Sequence, residues 1–225
     1  MPNYSYPEMI KYLATTSGTD FRDLLKQITS GSEDHETLSS SAFKEIALLS
    51  RKPDDEIRSI LLCTRAFVSI SRATGMRSIN ALSLQLSTSF IPTEEGILIN
   101  RIERKCGSIR NIEKDVICHV DHHIDPTLDP IIHLAEFLHN GENHPRASEF
   151  PFRFSFRNPT TSNSKSFNIL ITRRFIAVLH AVAIAVGLTD IGGSDDKKLH
   201  CLRVMCENSL IGSGATALER QLHIG

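Results

Sequence analysis

The chain has 225 residues, 40% hydrophobic and 23% charged, with a formal net charge of -1, the composition of an ordinary globular protein able to bury a sizeable core as one domain or two small lobes. Near-neutral charge excludes a protein that holds nucleic acid by bulk positive charge, so any such binding must come from a local groove. The five cysteines, Cys63, Cys106, Cys118, Cys201 and Cys206, are odd in number and lack C-x-x-C spacing, which predicts a reduced, intracellular chain rather than a disulfide scaffold.

The start, MPNYSYPEMIKYL, has no basic segment followed by an apolar one, so no secretory signal is expected. Tyr4 and Tyr6, flanked by Pro2 and Pro7, predict an irregular arm able to dock on a neighbouring subunit. Residues 1–30 are expected to hold this arm and two short amphipathic helices, the clearer one aligning Phe21, Leu24, Leu25 and Ile28. Residues 31–149 read as a helical core. After a polar loop over 30–41, Phe43, Ile46 and Leu49 form a short stripe. Pro53 with Asp54, Asp55 and Glu56 then opens a helix burying Ile57, Ile60, Leu61, Thr64 and Val68 and ending at Gly75. Residues 79–90 fit strand and helix spacing alike and are assigned helical with their neighbours. Thr93, Glu94 and Glu95 look like a cap and first turn for a helix carrying Leu98 and Ile102, with Arg101, Arg104 and Lys105 outward. A further helix over 108–120 would bury Ile109, Ile112, Val116 and Val120. Asp129-Pro130 starts the next, with Ile131, Leu134, Ala135 and Leu138 inward and Gly141 at its end.

Residues 150–225 begin with the most distinctive stretch, FPFRFSFRNPTTSNSKSFNILITRRFIAVLHAVAIAVG. Phe150, Phe152, Phe154 and Phe156 alternate as in a half-buried extended segment. The polar run 158–164 breaks it. A helix from about Lys165 then places Ile171, Phe175, Val178, Leu179, Val182 and Val186 at helical spacing among small alanines, as a buried core helix does. Its uncharged run of 15 residues from 175 to 189 is too short for a membrane span, which takes roughly 18 or more. Ser194 with Asp195 and Asp196 is expected to open a helix through Leu199, Leu202 and Cys206, and Ser213 a short last one. The fold class predicted is mostly α, a bundle of short helices in one body or two lobes, with at most a minor β-hairpin near 150–157.

Two groups of residues carry chemistry. Residues 150–189 contain no Asp or Glu but do contain Arg153, Arg157, Lys165, Arg173 and Arg174, a local +5 that leaves -6 on the rest, together with six of the eleven phenylalanines. Guanidinium groups for phosphate and ring faces for bases are what single-stranded nucleic acid requires. The competing reading makes the alternate phenylalanines core and the paired arginines a solvated helix face. Six of ten histidines, His119, His122, His123, His133, His139 and His144, fall within 26 residues with Asp121, Asp125 and Asp129, a density that invites a metal. The run VICHVDHHIDP resembles the signature of the DHH phosphoesterases, metal-dependent enzymes cleaving phosphodiester or phosphoanhydride bonds. That family also needs aspartate-bearing strands upstream, which the region before 115, read as helices, does not supply. No P-loop, dinucleotide fingerprint, H-E-x-x-H or G-x-S-x-G motif is present, and no cofactor or metal ligand set is assigned.

The order of an aromatic extended segment, a Thr/Asn-rich loop and an Ala-dense helix over 150–187 resembles the later part of the coat proteins of flexible filamentous plant viruses, the potexvirus and potyvirus type. The resemblance implies a helical core, arms that link subunits and a groove for single-stranded RNA. In those families an acidic residue usually interrupts the aromatics, where Arg153 and Arg157 stand here, and the tryptophans common upstream are absent. The expectation is a non-enzymatic, self-assembling protein of the cytoplasm or of a virion that coats single-stranded RNA without a membrane. Its phosphate contacts would be Arg153, Arg157, Lys165, Arg173 and Arg174, with Arg101, Arg104 and Lys105 secondary. The alternatives are a metal-dependent phosphoesterase using Asp121, His122 and His123, and a helical protein-interaction module.

Overall fold

A computed structural model describes residues 5–31, 38, 40–104, 113–141, 150–152, 165–188 and 199–224. The first helix, α1 (Ser5–Thr15), begins one residue before Tyr6. Pro7 falls in its first turn, where the backbone N–H has no intrahelical acceptor to lose, so the proline does not prevent the helix. Tyr6, Met9, Ile10 and Leu13 recur at helical spacing and are all buried. The expected N-terminal arm is therefore, from residue 5, a core helix.

Ser17 caps α2 (Gly18–Thr29), its side chain accepting from the Asp20 amide, and Phe21, Leu25 and Ile28 are buried. Gly18 lies so close to the start of the fourth helix that a Cβ would sit 2.3 Å from the Asp54 carbonyl oxygen. Asp54 also accepts from Thr19 Oγ1 at 2.7 Å and pairs with Arg22 at 2.6 Å. Helix α3 (Ser40–Leu49) buries Ala42, Glu45, Ile46 and Leu49.

The 21-residue α4 (Asp54–Thr74) is the hub. Its predicted stripe is buried, but so are Cys63, Arg65, Ala66, Phe67, Ser69, Ile70 and Ser71, leaving its second half covered nearly all round. Helices α1, α2, α7 (Pro130–Gly141) and α9 (His200–Gly212) pack against it. Gly75 ends it at φ 61°, the left-handed conformation that a residue with a Cβ adopts only at a cost. Two single-turn helices follow, α5 (Ser78–Ala81) and α6 (Leu86–Ser89).

The chain then departs from the predicted helices over 93–105 and 108–120. It forms an antiparallel meander of β1 (Phe90–Pro92), β2 (Gly96–Arg104) and β3 (Glu113–Asp121), with Ile99 opposite Cys118 and Arg101 opposite Val116. Ile97, Ile99, Arg101, Val116, Cys118 and Val120 face the core, while Asp115, Ile117, His119 and Asp121 are exposed, a period of two. The β-branched residues favour this pleated surface over a helix. Thr93 still captures the amide three residues on, Gly96 N to Thr93 Oγ1 at 3.0 Å, but Thr93 N also donates to the Gly96 carbonyl at 3.0 Å. The predicted helix cap is thus a hairpin turn.

Helix α7 starts where Asp129-Pro130 predicts, Asp129 Oδ1 accepting from the Ile131 and Ile132 amides at 2.7 and 3.1 Å. Leu134 and Phe137 are its buried apolar residues, and Ala135, expected inward, is exposed. In α8 (Lys165–Ala185), the helix expected from about Lys165, an unbroken buried run extends from Phe175 to Ala183. Phe175 stacks on Phe67 at 4.1 Å between centroids, and Phe152 meets the same ring edge-on at 5.6 Å. Phe150, Pro151 and Phe152 form no strand; Phe154 and Phe156 lie outside the described residues. Ser213 closes α9 rather than opening the last helix. That helix, α10 (Ala217–Ile224), starts from a reciprocal cap in which Thr216 N donates to Glu219 and Glu219 N to Thr216 Oγ1. Buried apolar residues from Tyr6 to Met205 form one continuous cluster. No helix among the described residues is long and apolar enough to cross a membrane.

Candidate nucleic-acid interface

On α8 the buried face sets where the cations stand. Ile171 and Phe175 turn inward, Arg173 is fully on the solvent side, and Arg174 is intermediate. Arg174 Nε lies 3.5 Å from Glu45 Oε2 of α3, a carboxylate that is itself largely buried. Arg173 is therefore a free-standing side chain for an anion, whereas Arg174 must give up part of an ion pair to act as one. Arg153, Arg157 and Lys105 lie outside the described residues. For Lys165 and Arg104 the description covers the backbone alone, at the start of α8 and the end of β2.

Arg101 corrects the expectation of a second basic surface. The alternation of β2 turns it inward, leaving 3% of its surface exposed. Nη1 donates to the Thr74 carbonyl at 3.0 Å and Nη2 to the His223 carbonyl at 3.1 Å. Carbonyls at helix C-termini lack intrahelical donors and carry partial negative charge. Arg101 thus clips the ends of α4 and α10 and is not placed to meet a phosphate.

The histidine-rich segment forms a turn rather than a cage. His119 is on β3 and His123 beyond its end. His119 Nδ1 donates to Asp121 at 2.8 Å, and Thr93 Oγ1 stands 3.3 Å from Nε2. His122 Nδ1 donates to Asp129 Oδ2 at 2.7 Å, and the His123 amide donates to the same oxygen at 3.2 Å. Burial raises the Asp129 pKa, but the donors from His122, Ile132, Ile131 and His123 outweigh it, and the carboxyl is held below its ordinary value. Among the described residues no three His, Cys, Asp or Glu side chains converge as a metal requires; His144 lies outside them. Cys118 and His119 point to opposite faces of β3, so they form no nucleophile and base pair.

Sequence reasoning missed a buried polar chain at the crossing of α1, α4 and α7. The Tyr6 hydroxyl donates to Ser69 Oγ at 3.3 Å, and Ser69 Oγ lies 2.8 Å from His133 Nδ1. His133 Nε2 lies 3.2 Å from the Thr127 carbonyl, which can only accept. The proton is therefore on Nε2, and Nδ1 accepts from Ser69. Burial, then the nearby Arg65 guanidinium, push the His133 pKa down to about 4 against smaller opposing effects of the Thr127 carbonyl, Glu136 and Asp129. Arg65 pairs with Glu136, and Arg72 lies over the Tyr6 ring at 4.3 Å. Tyr6 and Ser69 lie 63 residues apart in sequence and Ser69 and His133 64, so no local spacing announces them.

No family model, curated protein or solved structure matches the chain.

Proposed function

We propose that the chain is a non-enzymatic structural protein that binds single-stranded RNA through the acid-free segment around α8 and coats it by self-association, in the cytoplasm or within a virion. The observation that carries this reading is charge placement: residues 150–189 hold five cations and no Asp or Glu in a chain of net charge -1, and Arg173 extends to solvent from a helix whose opposite face is buried core. The helix fixes where the side chain leaves the backbone, and phosphate contacts need no base-specific geometry. Arg153, Arg157, Lys165 and Arg173 are the contacts, with Arg174 added when it leaves Glu45. Arg104 and Lys105, at the end of β2 and beyond it, are secondary. Arg101 is withdrawn because it is buried.

Fluorescence anisotropy with a labelled, unstructured RNA oligomer tests this. With about -0.7 in log-log slope per phosphate neutralised, four to five contacts give a salt dependence of about -3 with little preference among sequences. Absence of binding at low salt overturns the reading. The phosphoesterase alternative gains no support from the turn geometry of His122, His123 and Asp129.

A further inference from the structure

Among the described residues β3 is the terminal strand of the sheet, nine residues long and free of proline. The opposite edge, β1, has three residues and ends on Pro92, a short and blunted edge of the kind that resists pairing. The outer face of β3 shows Asp115, Ile117, His119 and Asp121 to solvent, and Ile117 is 61% exposed. An isoleucine at the middle of an exposed edge strand, flanked two residues away by an acid on one side and a histidine on the other, is a self-complementary pattern.

We propose that two copies of this chain join through antiparallel pairing of β3 about a two-fold axis at Ile117, continuing two three-stranded sheets into one of six. Isologous contact requires each residue to meet its mirror position. With the axis at Ile117, that residue packs on the partner's Ile117, and Asp115 stands opposite the partner's His119 on both sides. Moving the axis to His119 sets Ile117 opposite the partner's Asp121, and moving it to Asp115 opposes two like carboxylates. Only the Ile117 register matches apolar with apolar and acid with base. Glu113 then falls opposite the partner's Asp121, which confines firm pairing to the five residues 115–119. Asp121 holds His119 Nδ1 and Thr93 stands at Nε2 on the outer face, so the partner's Asp115 reaches the ring at Nε2 by displacing the Thr93 hydroxyl. Main-chain hydrogen bonds along the edge supply the remaining attraction, as in other strand additions.

This pairing deepens the self-association part of the proposed function but does not depend on RNA, so it is tested on RNA-free protein and fails separately from RNA binding. Sedimentation equilibrium of the full chain across micromolar concentrations should show a monomer–dimer equilibrium. Ile117→Lys opposes two ammonium groups at the axis and should weaken the dimer about tenfold or more with an unchanged circular dichroism spectrum. Under mild oxidation Ile117→Cys should give a disulfide-linked dimer, while Asp115→Cys, facing the partner's His119, should not. A wild-type chain that stays monomeric overturns the proposal. So does a dimer indifferent to Ile117→Lys, or one in which Asp115→Cys cross-links and Ile117→Cys does not.

Discussion

Acidification should weaken this fold through His133. In the folded chain the ring is buried, its Nδ1 accepting from Ser69 and its Nε2 donating to Thr127, and its pKa is down to about 4 from an ordinary 6.5. A proton arriving at Nδ1 would face the Ser69 hydroxyl, which would have to reverse, and would stand near the Arg65 guanidinium; Glu136 and Asp129 offset only part of that cost. The unfolded chain binds this proton below about pH 6.5 and the folded chain only near 4, so stability rises with pH across that window. At about 1.4 kcal/mol for each pH unit between the two values, the loss from pH 7 to 4 is about 3 kcal/mol. Urea unfolding followed by circular dichroism at pH 7, 6, 5 and 4 measures it, and with m of about 2–3 kcal/mol/M the midpoint should fall by about 1 M from this residue. His133→Asn removes the titration. That variant should be less stable at pH 7, by about 1–3 kcal/mol for the buried bonds it disturbs, yet its midpoint should fall less steeply. Parallel decline of the two proteins with pH would refute the reasoning.

Three further substitutions probe packing. Arg101→Gln removes the clip between the Thr74 and His223 carbonyls and should cost about 2–4 kcal/mol in urea unfolding while leaving RNA affinity of the folded protein unchanged. Phe67→Ala deletes the ring on which both Phe152 and Phe175 rest and should cost about 3–5 kcal/mol, read as a lowered urea midpoint. Gly18→Ala puts a methyl 2.3 Å from the Asp54 carbonyl oxygen; since the obstacle is backbone, the starts of α2 and α4 must separate, and thermal unfolding should show a loss of about 1–3 kcal/mol.

Helices were legible wherever one apolar stripe and its stop signals coincided. Asp54 to Gly75 combines an acidic first turn, periodic burial and a left-handed glycine end, and Asp129-Pro130 marks a capped start followed by periodic burial. The sheet was not legible, because Ile97, Leu98 and Ile99 are consecutive apolar residues that satisfy a helix and a strand alike, and because Thr93 makes the same contact with the amide three residues on in a hairpin turn as in a helix cap. Misreading the strands carried Arg101 to the wrong side of the protein. In a helix it would have shared a solvent face with Arg104 and Lys105, whereas strand alternation turns it inward. The start of the chain was misread for a different reason: Pro7 breaks a helix interior but is harmless in a first turn. The Tyr6, Ser69 and His133 chain exists only through tertiary contact, as does the pairing of Arg174 with Glu45, so neither leaves a local signature. Within the acid-free segment, Arg173 was legible because its neighbours Ile171 and Phe175 fix the buried face of α8.

The most direct test of the RNA reading is charge reversal at Arg173, beside Arg58→Glu, an equal change in net charge at another exposed arginine outside the acid-free segment. Anisotropy titrations at several salt concentrations should show Arg173→Glu binding the RNA oligomer several-fold more weakly, with a salt slope shallower by about 0.7 or more, and Arg58→Glu close to wild type. Equal affinities and slopes for both variants and wild type would contradict an RNA groove on α8.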